Sequence, residues 1–211
     1  MRSVGALLPL LVLTMAALAA QRVSFSFDDE AVGMPPPGFL FAAARQAAPG
    51  TWEVRAGGSL RYLAHTADAA ARGLSIAVAT AAAPANIHVR SRIRFADGAR
   101  MGGIVWRYHD ASSFYTVGIS LERHEALLHR LMGGNRVQLD RLGDLGIDPE
   151  AWHTLGVMHH GDQIRVYLDG IAILHARDRG LESGRAGVWS GGAAEAWFDD
   201  LQIEEAREPP R

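Results

Sequence analysis

The sequence predicts an all-β protein, an antiparallel sandwich or jelly roll of two sheets, on three observations. Apolar residues recur with a period of two, turn-forming residues break the chain about every ten residues, and no long stretch carries a helical stripe. The clearest strand is Ile87–Phe95. There Ile87, Val89, Ser91, Ile93 and Phe95 alternate with His88, Arg90, Arg92 and Arg94, so one face is buried and the other is cationic. Similar strands follow at 103–108, 114–121, 126–132, 136–142, 152–159, 163–168, 171–175, 184–190 and 196–204. Between them stand Ala96-Asp97-Gly98, Gly133-Gly134-Asn135, His160-Gly161-Asp162 and Asp169-Gly170, whose Gly, Asn and Asp residues favour tight reversals. Residues 67–72 and 148–152 each suit a single helical turn, the second with Pro149 in its first-turn position. Pro35-Pro36-Pro37-Gly38 and residues 79–85 read as loops, and residues 206–211, with Pro209-Pro210, read as a frayed tail.

Composition excludes several chemistries. The chain has 211 residues and a formal charge of −2, which gives no bulk attraction for nucleic acid or an anionic membrane. All 21 of its basic residues are Arg, so Schiff-base and P-loop lysine chemistry is absent. No Cys is present, which removes disulfides, thiolate metal sites and cysteine nucleophiles. Residues 1–20 open with Arg2, continue through an apolar run and end in Ala17-Leu18-Ala19, a small-x-small pattern. This is the form of a secretory signal, so the expected location is periplasmic or secreted, with no membrane contact after cleavage. The expected domain is 21–205, unbroken by any linker.

An ordered set of short motifs runs along this domain. It begins with Phe27-Asp28-Asp29, Trp52-Glu53-Val54 and Gly57-Gly58-Ser59-Leu60, and continues with Gly103-Ile104-Val105-Trp106-Arg107-Tyr108 and Phe114-Tyr115-Thr116-Val117. It ends with Trp152-His153-Thr154-Leu155-Gly156-Val157, Ile164-Arg165-Val166-Tyr167-Leu168-Asp169-Gly170, Gly187-Val188-Trp189 and Phe198-Asp199-Asp200-Leu201. This order resembles the concanavalin A-like lectin/glucanase superfamily, and within it the 3-keto-disaccharide hydrolase and laminin-G-like groups. The resemblance implies a jelly roll of two curved antiparallel sheets whose concave face binds carbohydrate. It leaves activity open, because one fold hosts lectins, glycosidases and adhesion modules.

Three sets of candidate residues follow. For binding an oligo- or polysaccharide, acidic sugars included, Arg90 and Arg92 share a strand face with His88 and Arg94, and Arg107, Arg130 and Arg165 could extend it. Arg107 is the leading candidate for the groove, with Tyr115 and Trp189 as stacking aromatics. Against this, an Arg ladder can be an ordinary charged face, and Trp106, Tyr108, Tyr115 and Trp189 can be core anchors. Trp106 and Tyr108 share one face and Arg107 takes the other unless a bulge intervenes. For hydrolysis, the Glu-x-Asp-x-x-Glu strand of family-16 glycosidases is missing. Glu122-Arg123-His124-Glu125 falls at a turn, and Glu122, Asp140 and Glu195 are the carboxylates expected to meet if the chain is an enzyme. For metal, the resemblance implies a structural Ca²⁺ at Asp28, Gly58 and Asp199, with Asp199 sharing the inward parity of Leu201 and Ile203. The His residues show no zinc spacing. A protein-interaction module is the remaining class, and it predicts a large exposed apolar patch.

Overall fold

The computed structural model describes residues 22–44, 50–66, 73–81, 83–96, 101–191 and 195–206. Residues 1–20, read as a signal, residues 67–72 and residues 207–211 lie outside them. The described residues form fifteen strands and no helix: β1 Val23–Phe25, β2 Phe39–Ala44, β3 Thr51–Gly57, β4 Leu60–Thr66, β5 Leu74–Ala79, β6 Ile87–Phe95, β7 Met101–Asp110, β8 Ser113–Ser120, β9 Glu125–Met132, β10 Asn135–Leu142, β11 His153–His160, β12 Gln163–Leu168, β13 Ile171–Arg177, β14 Arg185–Gly191 and β15 Ala196–Glu205. All pairings are antiparallel. The first sheet runs β13-β12-β11-β6-β15-β4-β3, with β1 also on β15, and the second runs β10-β9-β8-β7-β14-β5-β2.

The alternation in the sequence explains the packing. On β6 Ile87, Val89, Ile93 and Phe95 are buried in the space between the sheets, and the intervening cationic side chains stay partly exposed. Trp106, Tyr115, Val117, Ile119 and Val188 of the second sheet meet them there. Each such fully buried side chain contributes about 1.5–3 kcal/mol. The ten strands from Ile87 onward stand where the period of two puts them. The first five do not stand out in the sequence, because β2 and β5 (Phe-Leu-Phe-Ala-Ala-Ala and Leu-Ser-Ile-Ala-Val-Ala) are apolar on both faces.

Three local departures matter. At Arg107 (φ 46°) β7 bulges, so Trp106 faces the core and Tyr108 joins Val105 and Phe114 on the opposite face. At Asp200 (φ 49°) β15 bulges, and Asp199 turns outward rather than sharing the side of Leu201 and Ile203. Ala206, read as the start of a frayed tail, is buried and donates its N–H to Asn86 O at 3.0 Å. Residues 148–152 do turn once, through Ala151 N–H to Asp148 O.

Candidate functional site

The second sheet buries apolar side chains on both faces. Ile76, Val78, Val105 and Phe114 point away from the core, yet none is exposed, and they form a second cluster with Ala44, Tyr108, Leu131 and Trp189. Packing of this kind requires the sheet to curl over its own outer face, which is therefore the concave one. A hollow of about 380 Å³ opens there, lined by Leu74, Met101, Leu127, Leu131 and Trp189 and by the polar Thr116, Ser120, His129 and Arg136.

Strand register builds this site. β8 sends Phe114, Thr116, Gly118 and Ser120 to the concave face, and β9 sends Glu125, Leu127, His129 and Leu131, so Thr116 stands across from His129. Arg136 of β10 reaches back to place Nη2 at 2.5 Å from His129 Nε2. Trp189 lies on the floor: its Nε1 donates to Val117 O at 3.0 Å, and a Cβ added at Gly118 would stand 2.2 Å from its ring. Glu125 sits on the same face, beside Ser120, and is buried. Its Oε2 accepts from Arg141 Nε at 2.5 Å, while Oε1 has no hydrogen bond and faces Arg123 at 3.8 Å. None of the described residues that line the hollow is Asp or Glu. Sequence reasoning missed Thr116, Ser120, His129, Arg136 and Glu125. The signal was present in 114–120, where Thr116, Gly118 and Ser120 alternate with Tyr115, Val117 and Ile119; 125–131 mixes polar and apolar residues on both faces.

The expected binding residues do not converge here. Trp189 alone lines the hollow. Tyr115 faces the core, stacked on Trp106 with ring centres 5.4 Å apart, and its hydroxyl donates to Asp178. Burial, then that carboxylate, push its pKa up to about 12. Arg107 is buried at one end of the sandwich, where it donates to Leu181 O at 2.5 Å and Ala85 O at 2.9 Å. Burial pulls its pKa below the usual arginine value. The bulge that frees Tyr108 for the concave face is the same one that sends Arg107 to these carbonyls. Arg130 turns from the concave face as well and pairs with Asp178 at 2.5 Å. Arg90, Arg92, Arg94 and Arg165 lie on the outer face of the first sheet, on the far side of the sandwich. There Arg92 stacks over Trp152 and Arg94 over Trp197.

The candidate carboxylates stay apart too. Glu122 is exposed at the β8–β9 turn, Asp140 caps the His175 N–H of β13, and Glu195 binds Arg55 and Trp197. For the metal set, Gly58 sits in the exposed β3–β4 turn (φ 65°) and Asp28 is exposed. Asp199 is buried: its Oδ1 accepts the Asp200 N–H at 2.7 Å and its Oδ2 meets Arg92 at 3.3 Å. Burial first, then the Asp200 and Asp28 carboxylates, push the Asp199 carboxyl up to about 6, against the pull of that N–H and of Arg92. Among the described residues no three His, Asp or Glu side chains are grouped to hold an ion.

A sandwich of two antiparallel sheets is also what known structures share with this chain. The carbohydrate-binding module CBM66 from Bacillus subtilis superposes with a TM-score of 0.65 at 20% identity, covering 78% of this chain and 95% of that one. The fold is a concanavalin A-like jelly roll. The Bacillus licheniformis β-glucanase gives 0.60 at 11% identity over 88% of this chain and 98% of its own. A Bacillus subtilis protein of unknown function with a galectin-like fold gives 0.61 at 11% identity, over 81% and 90%. At such identities the likeness establishes the fold and says nothing of the ligand. No family model and no curated protein matches the sequence.

Proposed function

We propose that the chain is an exported carbohydrate-binding domain that takes a glycan on its concave sheet without cleaving it. The observation that carries this reading is the hollow itself. It combines an indole floor with Thr116, Ser120, His129 and Arg136, the mix of apolar surface and directed hydrogen-bond groups that a sugar ring needs. Export rests on the signal-like residues 1–20. The likeness in fold to a carbohydrate-binding module and a β-glucanase is consistent with this reading and adds no ligand to it.

The test is a thermal-shift titration with neutral and acidic oligosaccharides, since a ligand that binds only the native state raises Tm. At least one sugar is expected to raise Tm, and Arg136→Ala or His129→Ala to abolish the shift. No shift with any sugar sinks the reading. Incubation of the bound sugar with the protein then decides between binding and hydrolysis. Hydrolysis of the 3-keto-disaccharide type is the second reading, favoured by the buried Glu125 carboxylate on the concave face. Glycoside hydrolysis by the usual routes needs a second carboxyl group, and neither Glu122, Asp140 nor Glu195 joins it.

We also propose a structural Ca²⁺ at Asp28 and Asp199 with the Gly58 carbonyl. Its support is the burial of Asp199 beside two further carboxylates, a charge that a divalent ion relieves. Arg92 occupies one Asp199 oxygen, so the ion must displace it. Chelator is expected to lower Tm and added Ca²⁺ to restore it, and an unchanged Tm in both overturns the site.

A further inference from the structure

We propose that the outer face of the first sheet is a second docking surface, for an acidic polysaccharide, gripped by Arg22, Arg90 and Arg165. It is separate from the concave hollow, because the two faces lie on opposite sides of the sandwich.

The inference starts from which charges on this face are already answered. Glu204 pairs with His88 at 3.0 Å, and Asp199 and Asp200 pair with Arg92 at 3.3 and 3.6 Å. Asp162 stands 3.6 Å from both Arg177 and Arg179. Among the described residues no carboxylate stands within 4 Å of Arg22, Arg90 or Arg165. Arg22 and Arg90 instead converge on one neutral acceptor, Gln202 Oε1, with Arg90 giving both Nε (3.0 Å) and Nη2 (2.6 Å). Two guanidinium groups aimed at a single uncharged oxygen hold their positive charges close together without neutralising them. Arg165 is exposed on β12 with no partner among the described residues, directly across from His175. The Arg22 and Arg90 charges held side by side cost stability unless an anion spans them.

Chemistry and spacing favour a sugar polymer. Guanidinium forks match carboxylate and sulfate oxygens two at a time. The register puts Arg90 opposite Gly156 and Arg165 opposite Met158, so Arg90 and Arg165 lie two strands and two residues apart, about 12 Å. That suits a polymer with one charge per sugar or per disaccharide. Duplex DNA carries one charge per ~1.7 Å, and a chain of net charge −2 repels so dense a polyanion.

The experiment measures binding of the full chain to polygalacturonate, a carboxylate polymer, and chondroitin sulfate, a sulfated one, at low and physiological salt, with duplex DNA as comparator. At least one polysaccharide is expected to bind, more weakly as salt rises. Arg90→Gln with Arg165→Gln should cut its affinity at least tenfold, while Arg136→Ala on the concave face leaves it unchanged. Arg165→Gln alone removes no hydrogen bond or ion pair among the described residues, so its weaker binding stands even if the double variant loses stability. The proposal is overturned if neither polysaccharide binds, if both Arg90 and Arg165 variants bind as the parent does, or if DNA binds as tightly. Loss of binding on Arg136→Ala also overturns it and assigns the polymer to the hollow.

Discussion

Gly118 leaves its side-chain position to Trp189. A Cβ there would stand 2.2 Å from one ring atom and 2.9 Å from another, so the indole can lie on β8 only because the residue beneath it has no side chain. Gly118→Ala is therefore expected to lift Trp189 off the floor and destabilise the fold by about 1–3 kcal/mol. Urea denaturation followed by tryptophan fluorescence checks this, and a variant of parental stability contradicts the packing. Other single positions show what the sequence withheld. Arg107 adopts a left-handed φ of 46° that no glycine announces, so the strand parity that pointed its side chain toward a groove fails at that residue. Asp199 faces outward for the same reason, through Asp200. Tyr115 and Trp189 differ by a simpler rule: one shares parity with Val117 and Ile119 in the core, the other alternates with Val188.

Between β13 and β14 a strap of chain crosses the end of the sandwich, and side chains of three strands pin it. Asp178 accepts from Arg130 at 2.5 Å, from the Tyr115 hydroxyl and from Gly180 N–H at 2.8 Å. Leu181 gives its N–H to the Tyr115 oxygen at 3.2 Å and takes Arg107 on its carbonyl at 2.5 Å. Asp178→Ala leaves Arg130 and Tyr115 without their acceptor, and about 2 kcal/mol of stability is expected to go with it. Arg179, next to the pin and 80% exposed in its side chain, then becomes a site for trypsin. Faster cleavage after Arg179 in Asp178→Ala than in the parent is the expected result, and equal rates contradict the role of the pin. Tyr115→Phe keeps the core ring and loses only the hydroxyl contacts, so its effect should be smaller, about 1 kcal/mol.

For the molecule as a whole, the architecture was legible because ten strands obey one period, while the placement of the site was not. Both sheets of a jelly roll have an outer face, and nothing in the alternation of β6 says that its arginines lie on the outside of the sheet that does not curl. Two buried groups of the first sheet, His159 on β11 and Asp199 on β15, carry opposite pH dependences. His159 accepts from Trp106 Nε1 at 3.0 Å, and burial, then the Arg107 charge, push its pKa down to about 4. Its contribution is present above pH ~6.5, the unfolded value, and is lost as pH falls through about 4. Asp199 runs the other way: with a folded pKa of about 6 against 3.8 unfolded, its contribution is full below pH 3.8 and is lost as pH rises through 6. Each shift of about two units corresponds to roughly 3 kcal/mol, so between pH 6.5 and 4 the two largely cancel. In chelator, the parent is therefore expected to show little change of stability across that window. Asp199→Asn removes one arm and should lose stability steadily on acidification. His159→Asn, whose amide oxygen can take the Trp106 N–H, removes the other and should gain it. Urea denaturation of the three proteins from pH 7.5 to 4.5 measures both slopes. Parallel profiles for parent and variants would show that neither group titrates differently in the folded state, whereas opposite slopes locate the balance in these two side chains.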